Sequence, residues 1–328
     1  MKSVNIYIYV FIVIVAVVTL FYGCEVEPTE PEEINPEREE AIPDDAVKMD
    51  PESDLYIPVL NTDEWEAPIP MPGPVNTAGA EDSPFISPDG GRFFFFFTPD
   101  VDVPAEEQIL DGVTGIWWCR SSGEGWSVPT RIILNDDLAL DGAPFALEDT
   151  LWFASVRQDN YGEIDVYTAV YDNGGWGDWQ NAGAQLNVVY DIGEFHLSSD
   201  GSMIYFGWDW EDGYGGRDIW VSTKHGLEWL DPVNLGENVN SEYNEDQPFV
   251  SSDGNELWFT GQSVLGYPGP AVFRSVKSGD IWGEPQEIIS NYAGEPTLDD
   301  DGNIYFVHHF FDEDLNMIEA DIYVAYKK

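Results

Sequence analysis

Cysteine is nearly missing from this chain. Only Cys24 and Cys119 occur among 328 residues. Cys24 ends an apolar N-terminal run, so no framework of intramolecular disulfides is available to staple the fold. Basic residues are scarce as well: 13 Lys and Arg stand against 62 Asp and Glu, a formal net charge of −49. Such a surface repels phosphate backbones and anionic membranes, because approach costs Coulomb work without counterion release. Nucleic acid is thereby excluded as a partner. There is no Ser-His-Asp pattern, no glycine-rich phosphate loop and no paired-cysteine metal motif. Cationic partners, metal ions and neutral sugars remain open, beside the plain reading that acidity keeps an exported protein soluble.

What the chain has is aromatic residues, glycine and proline. Its 13 Trp, 16 Tyr and 18 Phe supply a large apolar surface, and 31 Gly with 22 Pro suit many short strands joined by turns. Cys119, within the apolar stretch IWWCR, reads as a small core hydrophobe.

At the N-terminus, Lys2 precedes an apolar run from Val4 to Tyr22, interrupted only by Asn5 and Thr19, and Gly23-Cys24 follows. A positive start, an apolar stretch and a small residue before the cut describe a signal peptide. Gly23-Cys24 resembles the lipobox of bacterial lipoproteins, which implies a lipid on Cys24; Leu20 lies one place further upstream than that pattern prefers. The run is also long enough to span a bilayer uncleaved, and simple secretion is the third reading. Each of the three places residues 25–328 outside the cytoplasm. Residues 25–62 are rich in Glu, Asp and Pro and poor in periodic apolar residues. They predict a disordered, extended tether.

From residue 63 the chain repeats itself. The segments SPFISPDGGRFFFFF (83–97), APFALEDTLWFAS (143–155), EFHLSSDGSMIYFG (194–207), QPFVSSDGNELWFTG (247–261) and EPTLDDDGNIYFVH (295–308) each join two apolar strands through a tight acidic turn. Asp-Gly between apolar runs is a hairpin signal, because Gly accepts the positive φ of the turn. The turn Asp recurs at 89, 149, 200, 253 and 301. A third strand follows each hairpin, as in GIWWCR (115–120) and DIWVS (218–222). A fourth is predicted to begin at Trp126, Trp179, Trp229 and Trp282, with Pro129, Pro232 and Pro285 three residues after three of them. Proline on a strand points to a sheet edge. Four strands per unit at a period near 50 residues predict propeller blades. The fifth unit lacks its Trp strand at the C-terminus, and Trp65-Glu66-Ala67-Pro68 stands ahead of the first hairpin. The expectation is an all-β, five-bladed β-propeller over residues 63–328, closed by that N-terminal outer strand. A solenoid or a sandwich leaves this complementarity unexplained.

These repeats resemble the WD40-like Pro-Asp β-propeller repeats of TolB-like periplasmic proteins and bacterial lipoproteins. NTAGAEDSPFISPDG (76–90) and NSEYNEDQPFVSSDG (240–254) carry the likeness at identical spacing, and residues 213–241 come close to a full signature. The second repeat departs most, with Glu148-Asp149-Thr150 in place of Asp-Gly. The resemblance implies a platform for binding or scaffolding at the cell envelope, with an envelope protein or a glycan as partner and no cofactor. Fold alone does not assign chemistry.

Candidate sites follow from where propellers bind, at one end of the innermost strands. Glu81, Asp82, Asp141, Glu194, Asp246 and Glu295 bring at least one carboxylate per repeat to that end. Clustered carboxylates must take up protons or attract a cation, Ca²⁺ among them. A repeat acid capping strand or loop amides is the competing account. Asp82, Asp141 and Glu194 also fall in the order of the base, second Asp and acid of five-bladed arabinanases and xylosidases. That likeness implies a glycoside hydrolase, whose two carboxyls would stand about 6.5–9.5 Å apart if inverting. Asp82 and Asp141 occupy different repeat columns, which weakens it. His196 lies two residues after Glu194, on the same strand face. Trp208, Trp210, Tyr214 and Tyr267 offer rings for stacking on a sugar or peptide. The acidic run 299–303 lacks the alternation of a calcium loop. Adjacent His308 and His309 point to opposite faces and cannot chelate together.

Overall fold

The computed structural model describes residues 38–123, 125–134, 139–190 and 192–328. Cys24, the apolar run before it and residues 25–37 lie outside the described residues. Among those described, no helix is long and apolar enough to cross a membrane.

The chain is all-β. Its helical turns are brief, at Arg38–Ala41, Ala105–Gln108 and Ala184–Asn187. In the first repeat the strands Ala80–Ile86, Arg92–Thr98, Gly115–Arg120 and Thr130–Arg131 pair antiparallel in that order. The second does the same with Ala139–Leu147, Thr150–Arg157, Asp165–Asp172 and Gly175–Asn181. Phe195–Leu197, Met203–Trp208, Asp218–His225 and Val233–Asn234 form the third. The fourth comprises Glu245–Val250, Glu256–Gln262, Pro270–Ser278 and Gln286–Ser290. The last repeat supplies Ala293–Leu298, Ile304–Phe311 and Met317–Ala325, and its outer partner is Ile69–Pro70 from the N-terminal segment. One parallel bridge, Ala320 to Ala80, links the fifth repeat to the first. The innermost strands follow one another in packing: that of the first repeat lies beside that of the second, and so on to the fifth, which lies beside the first again.

Local chemistry explains the hairpins. In the first, the Ser87 hydroxyl donates to Asp89 Oδ1 at 2.6 Å, and Asp89 accepts the Gly91 N–H at 3.0 Å. Gly90 takes φ +65°, which costs a residue without Cβ little. The third hairpin repeats this arrangement with Ser198, Asp200 and Gly201. Where the second repeat has no Asp-Gly, Glu148 itself takes φ +54°.

The structure corrects the fourth strands. Trp126, Trp229 and Trp282 do not open them. Each Trp instead closes a tight return of the third strand, opposite Ser121, Lys224 and Lys277. The outer strand resumes only after the proline, whose missing N–H interrupts the ladder. In the second repeat the outer strand starts at Gly175, ahead of Trp179. The N-terminal segment follows the same plan: Trp65 bridges Lys327, and pairing resumes at Ile69 after Pro68.

A second correction concerns residues 38–62, which are not a free tether. Arg38 is buried, its guanidinium 5.1 Å from the Phe97 ring and 3.3 Å from Glu81. The Lys48 ammonium contacts the buried carboxylates of Glu319 and Asp321. Asp54 Oδ2 lies 2.9 Å from His308 Nε2, and Val59–Leu60 adds a strand outside Gln286–Ser290. Composition hid this because a few cations, each matched to a buried acid, hold a segment that has little apolar surface of its own.

Candidate functional site

Four innermost strands share a bulge just before a proline. The register shifts between Asp82 and Phe85, Gly142 and Phe145, Asp246 and Phe249, and Gly294 and Thr297. Ser83, Ala143, Gln247 and Glu295 consequently take φ of 45°, 47°, 55° and 55°. Left-handed backbone at residues with a Cβ is strained and persists only where the surroundings fix it. Bulges re-aim side chains. Here those four residues, with Glu194 of the third repeat, line one small cavity of about 30 Å³. The layer beneath is Phe85, Phe145, His196, Phe249 and Thr297. His196 lies 4.5 Å, ring centre to ring centre, from both Phe145 and Phe249. These side chains line one side of the cavity. The room above them suits about two waters and excludes a sugar ring.

The carboxylates meet at this layer. The Ser83 N–H donates to Glu295 Oε2 at 2.7 Å and to Asp82 Oδ1 at 2.9 Å. Ser83 Oγ donates to Glu194 Oε1 at 2.9 Å, and Gln247 Nε2 donates to Glu295 Oε1 at 2.5 Å. Burial pushes the Glu194 carboxyl up to about 8, with the charges of Asp82 and Asp246 adding to the rise. Burial and then the adjacent Asp82 and Glu194 hold Glu295 well above the usual carboxylate range. Glu194 therefore carries a proton at neutral pH, and Glu295 shares a hydrogen bond with Asp82 that adds to its rise.

The remaining candidates separate from this group. Asp141 is buried against Arg157, 2.5 Å from Nη2, and accepts the Ser155 hydroxyl at 2.6 Å. Asp246 pairs with Arg217 Nε at 2.7 Å. A Cβ at Gly207 would collide with its carboxylate. Glu81 turns to the opposite strand face, where Thr77 donates to it through N–H and hydroxyl at 2.9 and 2.6 Å. Its counterpart Glu245 accepts the Ser241 N–H at 2.8 Å. These two acids cap loops. His196 accepts the Val250 N–H at 3.3 Å, and burial lowers it to about 3, so it stays neutral. Trp208 is buried and Trp210, 41% exposed, stacks on it at 4.4 Å; one face of Trp210 is thus already taken. In the run 299–303, Asp299 accepts the Asn303 N–H and Asp300 accepts the Ser252 hydroxyl. No three His, Cys, Asp or Glu side chains among the described residues are grouped to hold a metal ion.

A larger cavity, of about 140 Å³, lies on the other side of Asp82. It sits between strands of the first, second and fifth repeats. Its walls are mostly apolar, and Asp82, Thr98, Gln108 and Ser155 are the polar side chains that line it. Val101, Val156, Ile164 and Met317 on its lining are partly exposed, so the cavity reaches solvent. Gln108 is 4% exposed; its Nε2 donates to the Val103 carbonyl at 2.9 Å, and its Oε1 has no partner. From the fifth repeat, the buried His309 lies within the field of Asp82, both ring nitrogens unpaired. Sequence reasoning passed over Ser83, Gln108 and Arg217, and weighed His309 only as a chelating partner of His308. The recurring X-Pro of four inner strands was the signal for the bulge at Ser83. Gln108, in a loop outside the repeat pattern, gave none.

No family model matches this chain, and no curated protein sequence does. Among solved structures it is similar to a putative TolB from Agrobacterium tumefaciens, at 14% identity over 77% of this chain and 92% of that one, with a TM-score of 0.43. It is similar to an alpha-L-arabinofuranosidase from Podospora anserina at 11% identity, covering 79% and 95%, with a TM-score of 0.47. A protein of unknown function from Dyadobacter fermentans shares 12% identity over 83% and 100%, with a TM-score of 0.42. Similarity at this level assigns neither a family nor an activity.

Proposed function

We propose that this chain is a five-bladed β-propeller of the cell envelope, anchored through Cys24, which binds a small ligand at the acidic end of its inner strands. Two features support the architecture: the succession of contacts among five inner strands, the fifth returning to the first, and the pairing of Ile69–Pro70 with the last repeat. The observation that carries the binding reading is the solvent-reaching cavity of about 140 Å³ beside Asp82. It is mostly apolar, with a few convergent polar groups, as small-molecule sites are.

Hydrolysis finds less support. Asp141, the middle acid of the order seen in arabinanases, is committed to Arg157 and Ser155. Of the carboxyls that do converge, Glu194 and Glu295 face a space too small for a sugar ring. The test is to incubate the full chain with small neutral, cationic and anionic ligands and with arabino- and xylo-oligosaccharides. Binding is read at the Met317 methyl by NMR and turnover by chromatography. Saturable shifts without turnover are expected. Sugar cleavage would overturn the binding role, and an unresponsive Met317 would remove the site.

A further inference from the structure

We propose that the cavity beside Asp82 receives a primary ammonium group carried on a short apolar stem. This rests on the cavity being a binding site, and adds the chemistry it selects. The argument is an account of open valences. The Ser155 hydroxyl spends its proton on Asp141 Oδ1 at 2.6 Å, while its oxygen accepts Arg157 Nε at 2.8 Å. Thr98 Oγ1 has two acceptors for its proton, the Asp100 carbonyl at 3.4 Å and, at 3.3 Å, the oxygen of the Thr114 hydroxyl, whose own proton goes to Asp111. The Gln108 amide nitrogen is held by Val103, which fixes which end of the amide is free. The hydroxyl protons on the wall are thus occupied, and one Gln108 N–H is the donor left over. What stays open is chiefly acceptor capacity: Gln108 Oε1, buried and unpartnered, and the remaining lone pairs of the Asp82 carboxylate. A ligand that satisfies such a wall must bring donors. An ammonium brings three, and its charge meets a carboxylate.

Arg157, which bonds Ser155 on this wall, does not oppose this, because Asp141 neutralises it at 2.5 Å. The rest of the wall, including Ala80, Leu140, Ala154, Met317 and Ala320, is apolar and suits methylene groups. The volume sets the length. A cavity of about 150 Å³ accommodates benzene, so 140 Å³ takes about six heavy atoms. A guanidinium with its stem is larger and offers five donors to fewer acceptors. The same chemistry occurs in a free alkylamine and in the lysine side chain of a polypeptide.

The experiment titrates the full chain, labelled at its methionine methyls, with n-pentylammonium at neutral pH while following Met317. Half-saturation near 1 mM is expected, a middling yield per atom for so small a ligand. 1-Pentanol should bind at least tenfold more weakly, and pentanoate should produce no shift. Asp82→Asn should weaken n-pentylammonium at least tenfold and leave 1-pentanol unchanged, which also shows that the variant is folded. Ala154→Leu should abolish both by filling the space. A blocked Gly-Lys-Gly peptide that binds like the free amine identifies a polypeptide lysine as the source; binding by the free amine alone identifies a small metabolite. Equal affinity for 1-pentanol, or indifference to Asp82→Asn, would overturn the ammonium class while leaving the binding site intact. If no probe moves Met317, the site and the class both fall.

Discussion

Replacing Trp65 by Ala tests whether the segment ahead of the first repeat completes the last one. Trp65 is 2% exposed and packs edge-on against Trp258, ring centres 5.7 Å apart. Its indole N–H donates to the Gly302 carbonyl at 2.8 Å. The Lys327 ammonium lies 3.6 Å above the ring and the Arg274 guanidinium 5.3 Å from it. One side chain therefore joins the fourth repeat, the fifth and the C-terminus. Truncating a buried Trp costs about 3–5 kcal/mol, of which the aromatic pair contributes about 1. Trp65→Phe keeps much of the packing but leaves the Gly302 carbonyl unpaired, at about 1–2 kcal/mol. Urea unfolding followed by circular dichroism gives both values, and hydrogen exchange shows where the loss falls. The fastest-exchanging new amides should lie in Met317–Ala325, the strand that Ile69–Pro70 covers. As a control, Trp210→Ala should cost about 1 kcal/mol or less, since that ring is partly exposed. A Trp65→Ala protein within 1 kcal/mol of wild type would refute the closure.

Cys24→Ala should abolish lipid attachment and leave the domain folded; unchanged mass and unchanged membrane partitioning would instead support an uncleaved anchor. Lys48→Met should destabilise by about 2 kcal/mol at pH 8, because Glu319 and Asp321 lose their cation, and by less at pH 5, where Glu319, raised to about 7 by burial, takes a proton; equal loss at both, measured by urea unfolding, would contradict this. The pH dependence has a definite sign: buried Glu81 and Glu194 sit near 8 in the folded chain against an ordinary 4.5. Their stabilising contribution is complete below 4.5 and is lost as pH rises through 8, so stability should fall across that window by a few kcal/mol. Glu194→Gln keeps the Ser83 hydrogen bond and should flatten the fall. A melting temperature that rises from pH 5 to pH 8 would refute it.

Much of the fold was legible because the hairpins of the repeats announce themselves locally. Ser87-x-Asp89-Gly90 and its copies bond within the turn, so four residues of sequence carry the whole device. The outer strands were misplaced because Trp and Pro compete for the same few residues. Trp282 closes a tight return against Lys277, and only beyond Pro285 can a ladder with full N–H donors begin. The long-range partners of residues 38–62 were illegible for another reason. Arg38 finds Glu81, and Lys48 finds Asp321, across distances in sequence that no local pattern records.

The acids show the same division. Their recurrence at the head of each inner strand was visible, but not which way each would turn. Glu81 and Asp82 are neighbours in sequence, and strand alternation sends them to opposite faces. Glu81 then becomes a loop cap bonded to Thr77, whereas Asp82 reaches the converging carboxyls and the larger cavity. In the second repeat an arginine decides the matter, because Arg157 holds Asp141 to itself. In the fourth, Asp246 fits beside Arg217 because Gly207 of the third repeat leaves it room. Only where neither a cation nor a capped loop claims the acid, at Asp82, Glu194 and Glu295, do carboxyls crowd together. Burial and the neighbouring acids raise two of these above the usual carboxylate range. That leaves Asp82, at the wall of a cavity whose other open valence is the Gln108 carbonyl oxygen, as the group for a cationic ligand to find.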